Sequence, residues 1–377
     1  MRFCTPATAG GRSDDGARDP RAGAVTVSDG IWSARDTAPS EVEAALRELL
    51  RQRHAESEAY VPARVLNLVV IADREWRGEI QNRLDHVGRY HASRTILCAV
   101  EPGRTTIDAH VSASADDDPA GEAPSVGRER VVLELGPQHL GRLDAIVDPL
   151  VVTDLATLVW APHGHPEALD ALMRLAQIVL LDSGSEPDPA AAAARARELA
   201  QRAYIVDLSW LRSTPWRERV ASTFDPAQWR RELASITGVT VRHHPGSVLS
   251  GLLFIGWLCR RLGWEPGSVV GSEGVMHGSA HGRRQDVELC LKADESMSSP
   301  GLAGITVDTA SGMGLSLDRG PGGLTAKRRD RRGRESTWTV MGASRGEPGI
   351  LGEGIRQALL RDNSYGPALS AATAMLS

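Results

Sequence analysis

At 377 residues the chain exceeds one ordinary small domain, and two domains with peripheral segments are expected. Lys and Arg total 43 against 48 Asp and Glu, a formal charge of -5, so no broad basic field recommends nucleic acid or an anionic membrane as a partner. The four cysteines, Cys4, Cys98, Cys259 and Cys290, form neither a Cys-x-x-Cys pair nor a zinc spacing, and a reducing, cytoplasmic setting fits them.

Residues 1–38 are rich in Gly, Asp, Arg, Ser and Pro and carry few apolar side chains, which predicts a disordered tail without the apolar run of a signal peptide. Ser40-Glu41-Val42-Glu43 then opens a helix with a capping box and an apolar stripe of Val42, Ala45, Leu46, Leu49 and Leu50. Strand-like runs follow at Val65–Ile71, Thr95–Val100, Arg130–Leu135 and Gln177–Leu181. Helical spacing lies between them at Arg74–Val87, His139–Val147 and Glu167–Leu175. The alternation predicts an N-terminal α/β sheet domain over residues 39–186, with a loop from Asp116 to Gly127.

A second, mixed α+β domain is expected over 187–377. Asp188-Pro189 starts an alanine-rich helix from Ala190 to Tyr204. A helix from Pro226 to Ile236 and a short strand Val239–Val241 precede the most apolar run, Val248–Cys259, which ends in Arg260-Arg261. That run is little more than half the roughly 20 residues of a membrane span, so it reads as a buried core helix. Short apolar segments at Asp286–Leu291, Gly304–Asp308, Met313–Leu317 and Thr337–Met341, separated by glycine-rich turns, predict a β-meander. Inside it, Lys327–Arg334 is a basic run, either a docking arm for an acidic surface or a solvated hairpin tip. Helical stretches Ile350–Arg361 and Ala368–Leu376 close the chain.

Between the two halves stands Asp207-Leu208-Ser209-Trp210-Leu211-Arg212-Ser213-Thr214-Pro215-Trp216-Arg217. Thr214-Pro215 reads as an N-cap and first helical residue, with Trp210 and Arg212 on an extended lead-in and Trp216 and Arg217 in the first turn. Two Trp-Arg pairs at one corner suit a binding hot spot, or arginines stacked on buried indoles at an inter-domain joint. The pattern Asp207-Leu208-x-Trp210-x-Arg212-x-Thr214-x-Trp216-Arg217, followed by Phe224-Asp225, resembles the central signature of the OpcA family, the glucose-6-phosphate dehydrogenase assembly proteins. His91-Ala92-Ser93-Arg94-Thr95-Ile96 resembles the family's His-Pro-Ser-Arg-x-Ile segment. Pro149-Leu150 through Asp154-Leu155 to Trp160-x-Pro162 resembles its Pro-Asp-x-Pro and Trp-Trp-Pro segment, with Thr153, Ala156 and Ala161 departing from it.

The resemblance implies a non-catalytic allosteric activator that binds glucose-6-phosphate dehydrogenase. It points to Trp210, Arg212, Trp216 and Arg217, with His91, Ser93, Arg94, Asp154 and Trp160, as partner-binding side chains. The residues themselves present no Gly-x-Gly-x-x-Gly turn, P-loop, nucleophile elbow or His-Glu-x-x-His helix, so no cofactor and no metal is expected. His163-Gly164-His165 sits in a Pro-Gly loop without a carboxylate or cysteine partner in sequence. The alternative is a sugar-phosphate enzyme of lactonase or isomerase type, with His91, Arg94 and Arg212 around a phosphate.

Overall fold

The computed structural model describes residues 25–28, 30–56, 64–88, 92–115, 127–272, 274–320, 322–341 and 346–377. The first sheet contains β1 (Thr26–Ser28), β2 (Ile31–Ala34), β3 (Leu66–Asp73), β4 (Ser93–Val100), β5 (Asp108–Ala115), β6 (Gly127–Leu135), β7 (Thr157–Trp160), β8 (Ile178–Leu181) and β9 (Tyr204–Asp207). Its helices are α1 (Pro39–Glu56), α2 (Arg77–Gly88), α3 (Leu143–Val147), α4 (Pro166–Leu172) and α5 (Pro189–Ala200). Spatial order is β1-β2-β5-β6-β4-β3-β7-β8-β9, and the six strands from β6 to β9 are parallel. Numbered by their succession in the chain, those six run 3-2-1-4-5-6, the doubly wound order. Leu66 to Ala72 of β3 are buried without a break, as a strand covered on both faces requires.

Three expectations need correction here. Residues 1–24 of the predicted tail lie outside the described residues, but 26–34 are not a tail: β1 and β2 form a hairpin that pairs with β5. Ser28 pairs with Ile31, and Gly30 has φ 70°, a left-handed conformation that glycine adopts without steric cost. The capping box lies upstream of Glu43: Glu41 accepts from Ala38 N at 3.0 Å and from Thr37 Oγ1 at 2.7 Å, with Pro39 the first helical residue. The alanine-rich helix ends at Ala200, and Tyr204 begins β9, which joins the first sheet beyond the expected division at residue 187.

The mid-chain corner is helical throughout, as α6 (Leu208–Arg212) and α7 (Thr214–Phe224). Asp207 caps α6 by accepting from Ser209 N, which turns the expected extended lead-in into helix. After α8 (Ala227–Arg230) the predicted helix gives way to a 3-10 turn, because Ile236 already pairs in the second sheet. That sheet contains β10 (Ile236–His243), β11 (Glu265–Pro266), β12 (Val270–Ser272), β13 (Val275–His281), β14 (Asp286–Ala293), β15 (Leu302–Thr309), β16 (Gly314–Gly320), β17 (Gly323–Arg329) and β18 (Glu335–Met341). Its order is β11-β13-β14-β10-β15-β16-β17-β18, with β12 beside β13, and β10 to β14 is its parallel pairing. All four expected meander segments fall on these strands.

The apolar run is α9 (Val248–Leu262), buried against β10 and β14 as expected of a core helix. No helix among the described residues is long and apolar enough to cross a membrane. The chain then returns. Helix α10 (Gly346–Leu360) packs on α2, α6 and β9, and α11 (Tyr365–Met375) packs on α9 and α5. Gly256 permits the α9–α11 approach, since a Cβ there would stand 2.4 Å from Ala368 O.

Candidate functional site

The corner residues lie inside the molecule. Trp210 and Trp216 are each 2% exposed and Arg217 is 9% exposed, which makes the indoles core side chains. The Arg217 guanidinium lies 3.5 Å over the Trp210 ring. Its hydrogen bonds run to Ser213 Oγ (3.1 Å), Trp210 O (3.2 Å) and Thr214 Oγ1 (2.8 Å), all neutral acceptors. Burial therefore pushes its pKa down to about 10, against the pull of the Asp362 and Glu218 charges. Trp210 Nε1 donates to Asp362 Oδ2 at 2.9 Å, just ahead of α11.

Arg212 makes a two-pronged pair with Asp182, Nη1 to Oδ1 at 2.8 Å and Nη2 to Oδ2 at 2.7 Å. Burial pushes the Asp182 carboxyl up, but the Arg212 bonds and charge outweigh it and hold the group below its ordinary range. Asp207 is fully enclosed. It accepts from Ser183 N and Oγ, Ser209 N and Tyr365 OH, so one carboxylate ties the end of β8, the start of α6 and the start of α11. Burial first, then the neighbouring Asp182 charge, raise its pKa to about 6 against those donors. Asp182, Asp362 and Tyr365 were not singled out in sequence; the Asp-x-Ser step at 362–364 ahead of a helix is the one local signal for any of them.

The second predicted cluster is elsewhere. Ser93 and Arg94 open β4 and Asp154 lies in the exposed turn before β7, so all three sit at the N-terminal ends of parallel strands. The corner sits at the C-terminal end of β9. Arg94 donates to Glu129 Oε2 at 2.6 Å and to Leu150 O at 3.0 Å, and Ser93 Oγ lies 3.3 Å from Thr95 Oγ1. Trp160 ends β7 and is buried. His91 lies outside the described residues. The predicted side chains thus do not form one site: the corner lies at the C-terminal end of β9, Ser93, Arg94 and Asp154 lie at N-terminal strand ends, and Trp160 is buried at the C-terminal end of β7.

At the β3–α2 turn, where a doubly wound fold cradles a pyrophosphate on glycines, this chain has Asp73-Arg74-Glu75-Trp76. Arg74 pairs with Glu101 and Trp76 leans on His163 at 5.4 Å. His165 Nε2 comes within 3.1 Å of Asp73 Oδ1 but out of line for a hydrogen bond. Among the described residues no three His, Cys, Asp or Glu side chains converge as metal ligands. Burial pushes the Cys98 and Cys259 thiols up to about 12. The basic run is largely engaged: Lys327 with Glu335, Arg329 with Asp308, Arg331 with Glu232, Arg334 with Asp330, and Arg328 over Trp229 at 4.4 Å.

Two family profiles match the chain. Residues 84–198 match the glucose-6-phosphate dehydrogenase subunit N-terminal domain of the OpcA assembly proteins, and 203–369 match its C-terminal domain. A Synechococcus elongatus protein named OxPP cycle protein OpcA is 29% identical over 174 residues, covering 45% of this chain and 39% of that protein. Its namesake in Synechocystis sp. is 24% identical over 270 residues, covering 69% and 56%. The matched stretches thus span little more than half of those relatives' lengths, or less. Among solved structures, a Clostridium difficile dehydrogenase (MviM) aligns with a TM-score of 0.45 at 10% identity, covering 82% of this chain and 97% of that one.

Proposed function

Since the chain belongs to the OpcA family of glucose-6-phosphate dehydrogenase assembly proteins, we propose that it binds that dehydrogenase in the cytoplasm as a non-catalytic assembly factor and allosteric activator. It favours the active oligomer by binding that state more tightly than the others, which takes differential affinity and no chemistry of its own. The activity it raises supplies NADPH through the oxidative pentose phosphate pathway.

The observation that carries this reading is the outward face of the second sheet. Val239, Val241, Leu289, Leu291, Ile305, Val307, Leu315 and Leu317 point into the core, while their alternates point away from it. One outward row runs in register through His277, Cys290, Thr240, Thr306, Ser316, Lys327 and Thr337. The ends of that row, His277, Lys327 and Thr337, are exposed, and Cys290, Thr240, Thr306 and Ser316 between them are half-buried. Seven strands at about 4.8 Å spacing and about seven residues at 3.4 Å rise give a face of about 700 Å2. A standard interface takes about 800 Å2 from each partner. Small polar side chains such as Thr306 and Ser316 let a partner backbone approach, and the profile match over 203–369 supports the dehydrogenase as occupant.

In this reading the Trp-Arg corner supports the docking face from behind, by holding α6, α7 and α11 together. The sugar-phosphate enzyme is the weaker alternative, since Arg94 is committed to Glu129 and Arg212 to Asp182 at opposite strand ends. The test is Thr306→Arg, which places a long cation on the open face without touching the core. The parent should co-purify with the dehydrogenase and raise its turnover, and the variant should melt like the parent yet need at least roughly tenfold more protein for equal activation. A variant that activates like the parent moves the docking surface elsewhere. A parent that neither co-purifies nor changes turnover removes the dehydrogenase reading itself.

A further inference from the structure

Above the corner is an open pocket of about 440 Å3, walled by Trp257, Arg260 and Arg261 from α9 and by Asp362, Asn363 and Ser364 ahead of α11. Its chemistry is lopsided. The Asp362 carboxylate is consumed by the protein, because Trp210 Nε1 holds Oδ2 while Ser364 N and Oγ hold Oδ1 at 2.8 and 2.5 Å. Arg260 and Arg261 are exposed, and neither guanidinium has a carboxylate partner among the described residues. Behind Asp362, Arg217 adds a buried positive charge whose own hydrogen-bond partners are neutral.

Arginines in the last turn of a helix often serve its C-terminal carbonyls. Here Gly263, at φ 69°, and Trp264 both donate to Cys259 O, and among the described residues neither Arg260 nor Arg261 bonds a helix-end carbonyl. The two guanidiniums are left facing the pocket. Trp257, half-buried and braced by Phe254 with ring centroids 5.5 Å apart, adds a rigid flat wall beside them.

We propose that this pocket binds a phosphate monoester of a ring-bearing metabolite. The phosphate lies between Arg260 and Arg261, which suit it as planar multidentate donors, and the ring lies on Trp257. Asn363 offers an amide to a hydroxyl or ring nitrogen. The cavity size admits a sugar phosphate or a nucleoside monophosphate, and these share the chemistry that the walls recognise.

The inference concerns the chain alone, so titration calorimetry on the isolated full chain tests it independently of the dehydrogenase. The probes are inorganic phosphate, glucose 6-phosphate, AMP and unphosphorylated glucose. At least one ester should bind with a Kd under about 1 mM, inorganic phosphate roughly tenfold more weakly, and glucose not at all. The tighter of the two esters identifies the ring as sugar or base. Arg260→Ala and Arg261→Ala, surface changes that leave the fold in place, should each weaken ester binding at least roughly tenfold, while Arg47→Ala, exposed on α1 over the first sheet, should not. Trp257→Leu should bring the esters down to the affinity of inorganic phosphate. Absence of binding by either ester, or ester binding unaltered in the Arg260→Ala/Arg261→Ala double variant, overturns the proposal. Esters and inorganic phosphate binding alike overturn its ring-recognition half.

Discussion

Arg212 and Arg217 stand five positions apart in one motif, and their surroundings give them different work. Arg217 has no direct carboxylate among the described residues and is held by stacking and neutral acceptors, so it acts as a strut under Trp210. Arg212 is half of an ion pair with a side-chain exposure of only 9%, against 24% for Asp182. Removing the arginine strands a carboxylate in a poorly solvated place, a change that costs about 3–5 kcal/mol. We expect Arg212→Ala to lose stability on that scale in urea unfolding, and the Asp182→Ala/Arg212→Ala double variant to recover part of it, giving a coupling energy above about 1 kcal/mol. Additive losses would mean that the pair is screened by water. Arg212 is for the same reason a poor probe of docking, because lost activation would follow from lost structure. The Trp-Arg chemistry was legible in the motif. Its burial was not, since the partners Asp182 and Asp362 lie 30 and 152 residues from Arg212 and Trp210.

Elements with a strong local period were read correctly from sequence: β3, β4, β6 and β8 through their continuous apolar runs, and α9 through its length. Elements defined by pairing were harder. Strand β5 reads Asp-Ala-His-Val-Ser-Ala-Ser-Ala, small side chains with a weak apolar signal, and becomes a strand because β2 and β6 flank it. The β1–β2 hairpin was hidden by the polar composition around it, although Val-Ser-Asp-Gly-Ile carries the Asp-Gly turn signal. That hairpin has a measurable consequence. It buries Ala34 and part of Trp32, and Ser33 Oγ meets His110 Nδ1 at 2.6 Å. A chain starting at residue 35 should lose about 2 kcal/mol and melt several degrees lower. It should also scatter more light on standing, because β5 becomes a bare edge. A chain starting at residue 25 should match the parent. Equal melting of all three would make the hairpin a passenger.

At the scale of the molecule, the two sheets are joined by pieces far apart in sequence, which is why periodicity placed a boundary at 187 and could not place the joint. Strand β9 extends the first sheet past that point, and α10 and α11 come back from the C-terminus to cover it. Asp207 is the group through which this closure should be felt in solution, since it links β8, α6 and α11 by four hydrogen bonds. Its folded pKa of about 6 exceeds the ordinary carboxylate value of 3.8, so between these values the folded state binds more protons than the unfolded one. The stability this contributes is complete only below about pH 3 and is lost as pH rises through about 6, a change of about 3 kcal/mol in all. Asp182, held low by Arg212, acts with the opposite sign and loses its contribution as pH falls, so the parent curve alone mixes the two. The Asp207→Asn variant separates them. The difference in unfolding free energy, parent minus variant, should fall by about 2 kcal/mol between pH 4 and 6.5 and stay level above pH 7. A difference that is flat across this window would mean that Asp207 titrates like a solvated carboxylate, and that the joint between the sheet and α11 is open to water.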